Sequence, residues 1–270
     1  MYTPVARVVL LDIETLPADA IVGMSLDEPP EYALQATEPS PVEARLVPKN
    51  YKSADTISAW QHKERLRQNS AEKERKKDWL VAAKKHYAKQ SLNPLRGRVS
   101  HLGLGVYEFP TSSNSTAPIT ELETHILCGD CGDEKDILKK GWEIMKAQPA
   151  GTNFVAHNGH AFDYPFIQLR AIKHGMMDMA RFFSVGKPWE SPLVDTMVKW
   201  PATGFGAKRS GRSVDSIMEF LGDERPENPF TGADVLPAYV AGSDREIRMH
   251  CLDDLRCLLK IYTIIRAIEK

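Results

Sequence analysis

The chain carries almost no excess of either charge: 35 lysines and arginines face 36 aspartates and glutamates, a formal net of −1 over 270 residues. This excludes attraction of the whole molecule to a polyanion, so any nucleic-acid binding has to be local. Long apolar runs are missing too. Stretches such as Val8 to Leu11 fall far short of the ~18–20 residues a membrane span requires, and no basic segment followed by an apolar core opens the chain. No membrane partner and a cytoplasmic location are therefore expected. Cysteine is scarce, four in 270 residues and unevenly spaced, which argues against a disulfide framework and for a reducing compartment. What is present, 42% hydrophobic and 26% charged residues, is the composition of a soluble globular chain with one large or two modest cores.

Val5-Ala-Arg-Val-Val-Leu-Leu11 is β-branched and apolar, lacks a helical period and is stopped by Asp12 and Pro17, which predicts a central strand buried on both faces. Prolines at 29, 30, 39, 41 and 48 speak against regular structure there. Residues 55–90, free of proline and rich in charge, place Trp79, Ala83 and Tyr87 at helical spacing and predict one or two helices. Further strands are expected at Arg98–Phe109, Glu123–Cys128 and Asn153–Ala156, with the first three strands as antiparallel neighbours. Helices are expected near 133–147, 164–174, 213–221 and 244–269, with a loop-rich stretch before the third. The class is α/β, a mixed sheet flanked by helices, in a single domain over 1–270 with a charged, mostly helical insertion at 38–95.

Asp12 and Glu14 lie two apart at the end of the first strand, so their carboxylates share a face at the edge where open α/β sheets place their sites. Asp-x-Glu alone says little, and Asp244-Arg-Glu246 repeats it where the acidic first turn of a helix explains it. The buried strand distinguishes the first pair, because exposing two carboxylates there is costly unless a cation compensates. Asp163 ends His157-Asn-Gly-His-Ala-Phe-Asp163 at a helix entrance, where an N-cap role is the simpler reading. In the last helix His250 and Asp254 are i and i+4 beside an apolar stripe of Ile247, Cys251, Leu255, Leu258 and Tyr262. An ion pair on a solvated helix has the same spacing.

Taken in order, Asp12-Ile-Glu-Thr15, Asn158-x-x-x-Phe162-Asp163 and a ring-bearing residue four before Asp254 resemble the DEDD superfamily of 3′–5′ exonucleases. His157-Asn-Gly-x-x-Phe-Asp-Tyr-Pro-Phe166 is similar to the second motif of the exonuclease domain of family B DNA polymerases, in its stand-alone, often phage-borne relatives. The likeness extends to Leu92-Asn-Pro-Leu-Arg-Gly-Arg-Val99, Asp195-Thr-Met197 and the stretch from Ser213 to Gly222. It covers residues 5–17 and 92–268 and leaves the insertion outside. The resemblance implies a ribonuclease-H-like five-stranded sheet, with Asp12, Glu14, Asp163 and Asp254 holding two Mg²⁺ or Mn²⁺ ions. Phosphodiester hydrolysis needs positive charge at both the attacking water and the departing 3′ oxygen, which two ions about 3.5–4 Å apart supply. Oxygen ligands favour Mg²⁺ or Mn²⁺ over Zn²⁺. Asp12 would bridge the ions, Glu14 and Asp254 would hold the one beside the nucleophile, and Asp163 the other. Thr15 would contact the terminal 3′-hydroxyl, and Asn158 and Phe162 the last nucleotides, although Phe162 also reads as simple core.

One departure stands out. The tyrosine branch of the superfamily has Tyr four before the last Asp and the histidine branch has His five before it, whereas His250 has the second identity at the first spacing. Asp253 is therefore an alternative ligand, although on a helix His250 lies about 40° from Asp254 while Asp253 is about 100° off that face. An imidazole, which titrates near neutrality, could orient or deprotonate the attacking water.

Residues 61–90 hold ten basic and four acidic residues, a local net of +6, interleaved with Trp79 and Tyr87 and preceded by Trp60. Cations with aromatic platforms suit a single-stranded groove; a solvated helix with its aromatics packed on the body is the plainer reading. A polymerase or helicase partner is a further possibility for this segment. The basic, glycine-rich Gly204–Arg212 matches no nucleotide-binding pattern and offers Lys208, Arg209 and Arg212 as phosphate contacts, with a merely flexible crossover as the plainer reading. Cys128-Gly-Asp-Cys131 is half a zinc knuckle without a second half, and His157 and His160 are assigned structural or substrate-edge roles. The expected activity is release of nucleoside monophosphates from DNA, in preference to RNA and more readily from single strands or 3′ ends. An exoribonuclease is the rival, since no feature reads the 2′-hydroxyl, and a binding module without turnover is a second.

Overall fold

The computed structural model describes residues 5–111, 118–129, 133–184, 191–201, 211–223 and 230–269. Its strands are β1 (Val5–Pro17), β2 (Gly97–Pro110), β3 (Thr120–Cys128), β4 (Asn153–Ala156) and β5 (Leu193–Asp195). Its helices are α1 (Glu31–Ala36), α2 (Ala54–Ala88), α3 (Glu134–Lys146), α4 (Asp163–Lys173), α5 (Met177–Phe182), α6 (Thr196–Lys199), α7 (Val214–Phe220), α8 (Val235–Val240) and α9 (Asp244–Ile268). The sheet runs β3-β2-β1-β4-β5, with β1, β2 and β3 antiparallel and β1, β4 and β5 parallel. This is the mixed, helix-flanked, ribonuclease-H-like sheet that the sequence led us to expect.

β1 is central, and its alternation assigns the two layers. Val9, Leu11 and Ile13 face one core with Ile137 and Leu138 of α3 and Phe166 and Ile167 of α4. Val8 and Leu10 face a second core with Leu255, Leu258 and Tyr262 of α9. Even-numbered residues of β1 thus look toward α9. Gly103, the β2 partner of Asp12, lets that helix approach, since a Cβ there would lie 3.2 Å from Leu255 Cδ1. The register slips between Glu14 and Thr15, which pair with His101 and Val99 and leave Ser100 as the extra residue of a bulge.

The structure divides into two compact units, residues 1–23 with 91–270 and residues 24–90. The second overlaps most of the segment read as an insertion at 38–95. It starts earlier because α1 forms despite the prolines: Pro30 is the N-cap, where no N–H is needed by the helix. The preceding and following chain then lines α2, a 35-residue helix that is polar nearly all round. Trp79 Nε1 donates to Leu34 O at 2.9 Å, Arg75 Nη1 to Pro39 O at 3.0 Å and Arg67 Nη2 to Glu43 O at 3.0 Å. Tyr87 is buried edge-on to Tyr32 with its hydroxyl on Met24 Sδ, and Lys84 pairs with Asp27. Tyr87 is therefore core of this unit, whereas Trp79 is half-buried with its indole N–H committed to Leu34. The stretch expected to be loop before α7 contains α5, β5 and α6.

Candidate active site

Because Asp12 and Glu14 share the parity of Val8 and Leu10, their carboxylates turn toward α9, which supplies His250 and Cys251 about one turn before Leu255 and Asp254 directly before it. His250 Nε2 lies 3.4 Å from Glu14 Oε1 and 3.6 Å from Asp254 Oδ2. Cys251 Sγ is 3.9 Å from Glu14 Oε1. Among the described residues, ligand atoms of Glu14, His250 and Asp254, and likewise of Asp12, Glu14 and Cys251, lie within 4.8 Å of one another. Asp253 points elsewhere: it is exposed and pairs with Arg256 at 2.8 Å. The stripe of Ile247, Cys251, Leu255, Leu258 and Tyr262 is buried as expected.

Asp163 reaches the same place from the other layer. It is the first residue of α4 and fully enclosed, and the N-cap position falls to Phe162, which makes no side-chain cap bond. The N-cap reading of Asp163 is thus incorrect. Burial pushes its carboxyl up to about 7, with Asp195 and Asp254 adding to the shift and backbone N–H bonds from Asp163 itself and Ile13 opposing it. Burial, then the charges of Asp254 and Asp163, raises Glu14 to about 8. Asp12 is driven well above the carboxylate range by burial and by Asp254, Glu14 and Asp163, and the Cys251 thiol is raised by burial and the charges of Glu14, Asp12 and Asp254. Asp12 Oδ2 is buried with no hydrogen-bond partner. Carboxylates crowded in this way, one with an orphaned oxygen, repel one another, and a divalent cation with oxygen ligands fits that arrangement.

The turn that leads into α4 is clamped. Asn158 adopts φ +64°, and a Cβ on Gly159 would lie 2.7 Å from the Tyr164 ring, so the bend needs both residues. Asp195 at the end of β5, itself buried, accepts the N–H groups of Asn158 and His160 at 3.0 Å each and of Met197 at 2.9 Å. His157 donates through Nε2 to Arg212 O at 2.7 Å, which leaves Nδ1 to accept from Thr196 Oγ1 at 2.9 Å; burial holds its pKa below the usual imidazole range. The structural role expected for His157 follows.

Of the other expected contacts, Thr15 is buried beside the bulge, Asn158 is half-buried and Phe162 packs on the core and on Phe166. Arg212 is held at His157 and at Met197 O rather than at the carboxylates. Lys208, Arg209 and Cys131 lie outside the described residues. Sequence reasoning passed over four contributors: Cys251, taken only as core; Asp195; Ser100, whose hydroxyl donates to Glu14 O at 3.1 Å; and Phe230, whose ring lies 5.1 Å from that of His250. Asp244 is more than an acidic helix start, since it also pairs with His101 at 3.0 Å and with Arg248.

Fold and site together define an α/β protein with a cluster of carboxylates at the edge of a ribonuclease-H-like mixed sheet. The family described as "Predicted 3′-5′ exonuclease related to the exonuclease domain of PolB" matches residues 113–264, more than half of the chain, and the chain belongs to it. That range includes Asp163, His250 and Asp254 but not Asp12 or Glu14. A solved family B DNA polymerase from the hyperthermophilic archaeon Pyrobaculum calidifontis is similar over 96% of this chain and 24% of its own, with a TM-score of 0.49 and 14% identity. The chain thus spans about a quarter of that polymerase's length. None of the curated proteins matches.

Proposed function

We propose that the protein is a metal-dependent 3′–5′ exonuclease that removes nucleoside monophosphates from single-stranded DNA by attack of water, without a covalent enzyme intermediate. The observation that carries this reading is the convergence of Asp12, Glu14, Asp163 and Asp254 from β1, α4 and α9, with Asp12 Oδ2 orphaned and the carboxyls of Asp12, Glu14 and Asp163 raised. These four residues would hold two Mg²⁺ or Mn²⁺ ions, which when bound neutralise charge on the attacking and departing oxygens. His250, facing Glu14 and Asp254, orients the attacking water and takes its proton. Thr15, Asn158 and Phe162 bind the last nucleotides, with Lys208, Arg209 and Arg212 as candidate phosphate contacts. The apolar enclosure from Cys251, Leu255 and Phe230 limits access of bulk water.

End-labelled single-stranded DNA and RNA, incubated with Mg²⁺ or Mn²⁺, test the reading. A ladder shrinking from the 3′ end of DNA, absent with Asp12→Ala, is expected. Binding without degradation in both metals would reject it, and equal or faster loss of RNA would redirect the substrate assignment.

A further inference from the structure

The second unit, residues 24–90, carries a cleft of about 620 Å³ at the N-terminal end of α2, lined by Arg45, Tyr51, Trp60, Lys63, Glu64 and Arg67 among others. Its chemistry differs from the opposite end of the same helix. There Trp79 is tied to Leu34 and Tyr87 is buried, so those aromatics hold the unit together. Here Tyr51 is 38% exposed, Trp60 is half-buried, and Arg45 and Lys63 are exposed. The single carboxylate, Glu64, is occupied within the unit: both its oxygens receive the Arg67 guanidinium, and Oε1 also accepts the Arg45 N–H at 3.0 Å. Three cations against one internally bonded anion leave the cleft positive, in a chain whose overall charge is −1.

We infer that this cleft binds a short stretch of single-stranded DNA, with bases stacked on Trp60 and Tyr51 and phosphates on Lys63 and Arg45. The inference rests on the exonuclease reading for its choice of polymer and adds a strand-binding site to it. Flat aromatic faces take bases of any sequence, and neighbouring cations follow the backbone between them. An acidic peptide would use the cations but leave the paired aromatic faces without planar partners. A positive cleft lined by two partly exposed aromatic rings has the composition of such a site.

Fluorescence anisotropy with a labelled oligothymidylate of about 16 nucleotides, in EDTA to prevent degradation, tests this on the full chain. Trp60→Ala should weaken binding about tenfold, while Trp60→Phe keeps most of it. Lys63→Gln should lower the slope of log affinity against log salt by about one. In parallel, hydrolysis of the p-nitrophenyl ester of thymidine monophosphate with Mn²⁺ reads the acidic centre without a strand to bind and should be unchanged in all three variants. Wild-type affinity and salt slope in Trp60→Ala and Lys63→Gln would overturn the inference. Equal loss in Trp60→Phe and Trp60→Ala would overturn the stacking role. Failure of the wild-type protein to cleave the ester would count against the catalytic reading and leave the binding contrast to decide the cleft.

Discussion

His250 Nε2 stands 3.4 Å from Glu14 Oε1, joining the last helix to the first strand across 236 positions of sequence, and lies 3.6 Å from Asp254 Oδ2. Both separations exceed a hydrogen bond, so the imidazole faces the carboxylates without being locked to either. A proton acceptor in that position predicts a specific defect. His250→Ala and His250→Gln should each lower kcat on single-stranded DNA by about 10²–10⁴ with little change in KM. The neighbouring acids provide the contrast. Asp254→Asn should abolish turnover, whereas Asp253→Asn, which loses only an exposed pair with Arg256, should leave activity intact and stability within about 0.5 kcal/mol. Undiminished kcat in His250→Ala would remove it from the chemistry.

The raised carboxyls of the centre predict an unusual pH dependence for the metal-free protein. Glu14 titrates near 8 in the fold against 4.5 ordinarily, and Asp163 near 7 against 3.8, in both cases chiefly through burial. The folded chain therefore holds these protons more tightly than the unfolded chain, so each group costs stability as pH rises from its ordinary value to its folded one. The cost is up to ~1.4 kcal/mol per pH unit for each titrating group. Urea unfolding in EDTA should show wild type losing stability between about pH 5 and pH 8, in the window set by these shifts, with a shallower loss in Glu14→Gln. Mn²⁺ at a hundredfold over its Kd should restore about 2.7 kcal/mol to wild type at the upper pH and much less to Asp12→Asn. Parallel pH profiles for wild type and Glu14→Gln would show that the carboxylates are not crowded as described.

How much of this was legible beforehand follows from how local each signal is. β1, the turn at His157–Asp163 and the stripe on α9 depend on adjacent residues or one helical period, and all three were readable. The choice of Asp254 over Asp253 was legible for the same reason, as a matter of rotation about one helix. β5 was not: three residues become a strand only because Phe154, Val155 and Ala156 pair with them. Nor was the bulge at Ser100, which exists only in the pairing of β1 with β2. The roles of Trp79 and Tyr87 in α2 were hidden in a similar way. Their interleaving with lysines looks identical whether they are open or covered, and Trp79 is covered by Leu34, 45 positions away.

A buried ion network supports the bulge side of the sheet. Glu134, at the start of α3, accepts from Arg170 Nε and Nη2 at 2.8 and 2.6 Å, from His174 Nε2 at 2.7 Å and from the Val99 N–H at 2.7 Å. Burial alone would raise its carboxyl, but the bonds from Arg170, His174 and Val99 together hold it below the usual range. The sign is opposite to that of the centre: this stabilisation is present above the ordinary carboxylate pKa and is lost as pH falls through the folded one. Glu134→Ala leaves the Arg170 guanidinium, 2% exposed, without its anion and should cost about 3–5 kcal/mol in urea unfolding. Glu134→Ala with Arg170→Met should cost less than the single change. If the double variant is the weaker of the two, the network contributes net stability beyond mutual compensation of its charges.

Asp195 is not among the four carboxylates of the centre, yet it clamps the turn that leads to Asp163. Its Oδ1 accepts from Asn158 N and Met197 N and its Oδ2 from His160 N, so one side chain fixes both the turn before α4 and the start of α6. Asp195→Ala strands these three N–H donors and a fourth, that of Val198, which reaches Oδ1 at 3.4 Å, each unsatisfied donor costing about 1–3 kcal/mol when buried. Asp195→Asn keeps an oxygen for Asn158, Met197 and Val198 but turns an NH₂ toward His160, so it should lose one bond out of four. If the clamp positions Asp163, metal affinity should follow the same order. Isothermal titration with Mn²⁺ should show a loss of about 10- to 100-fold for Asp195→Ala and a smaller one for Asp195→Asn. A fall in stability with unchanged Mn²⁺ affinity in Asp195→Ala would confine the clamp to holding the fold, because the turn would then reach its geometry without it.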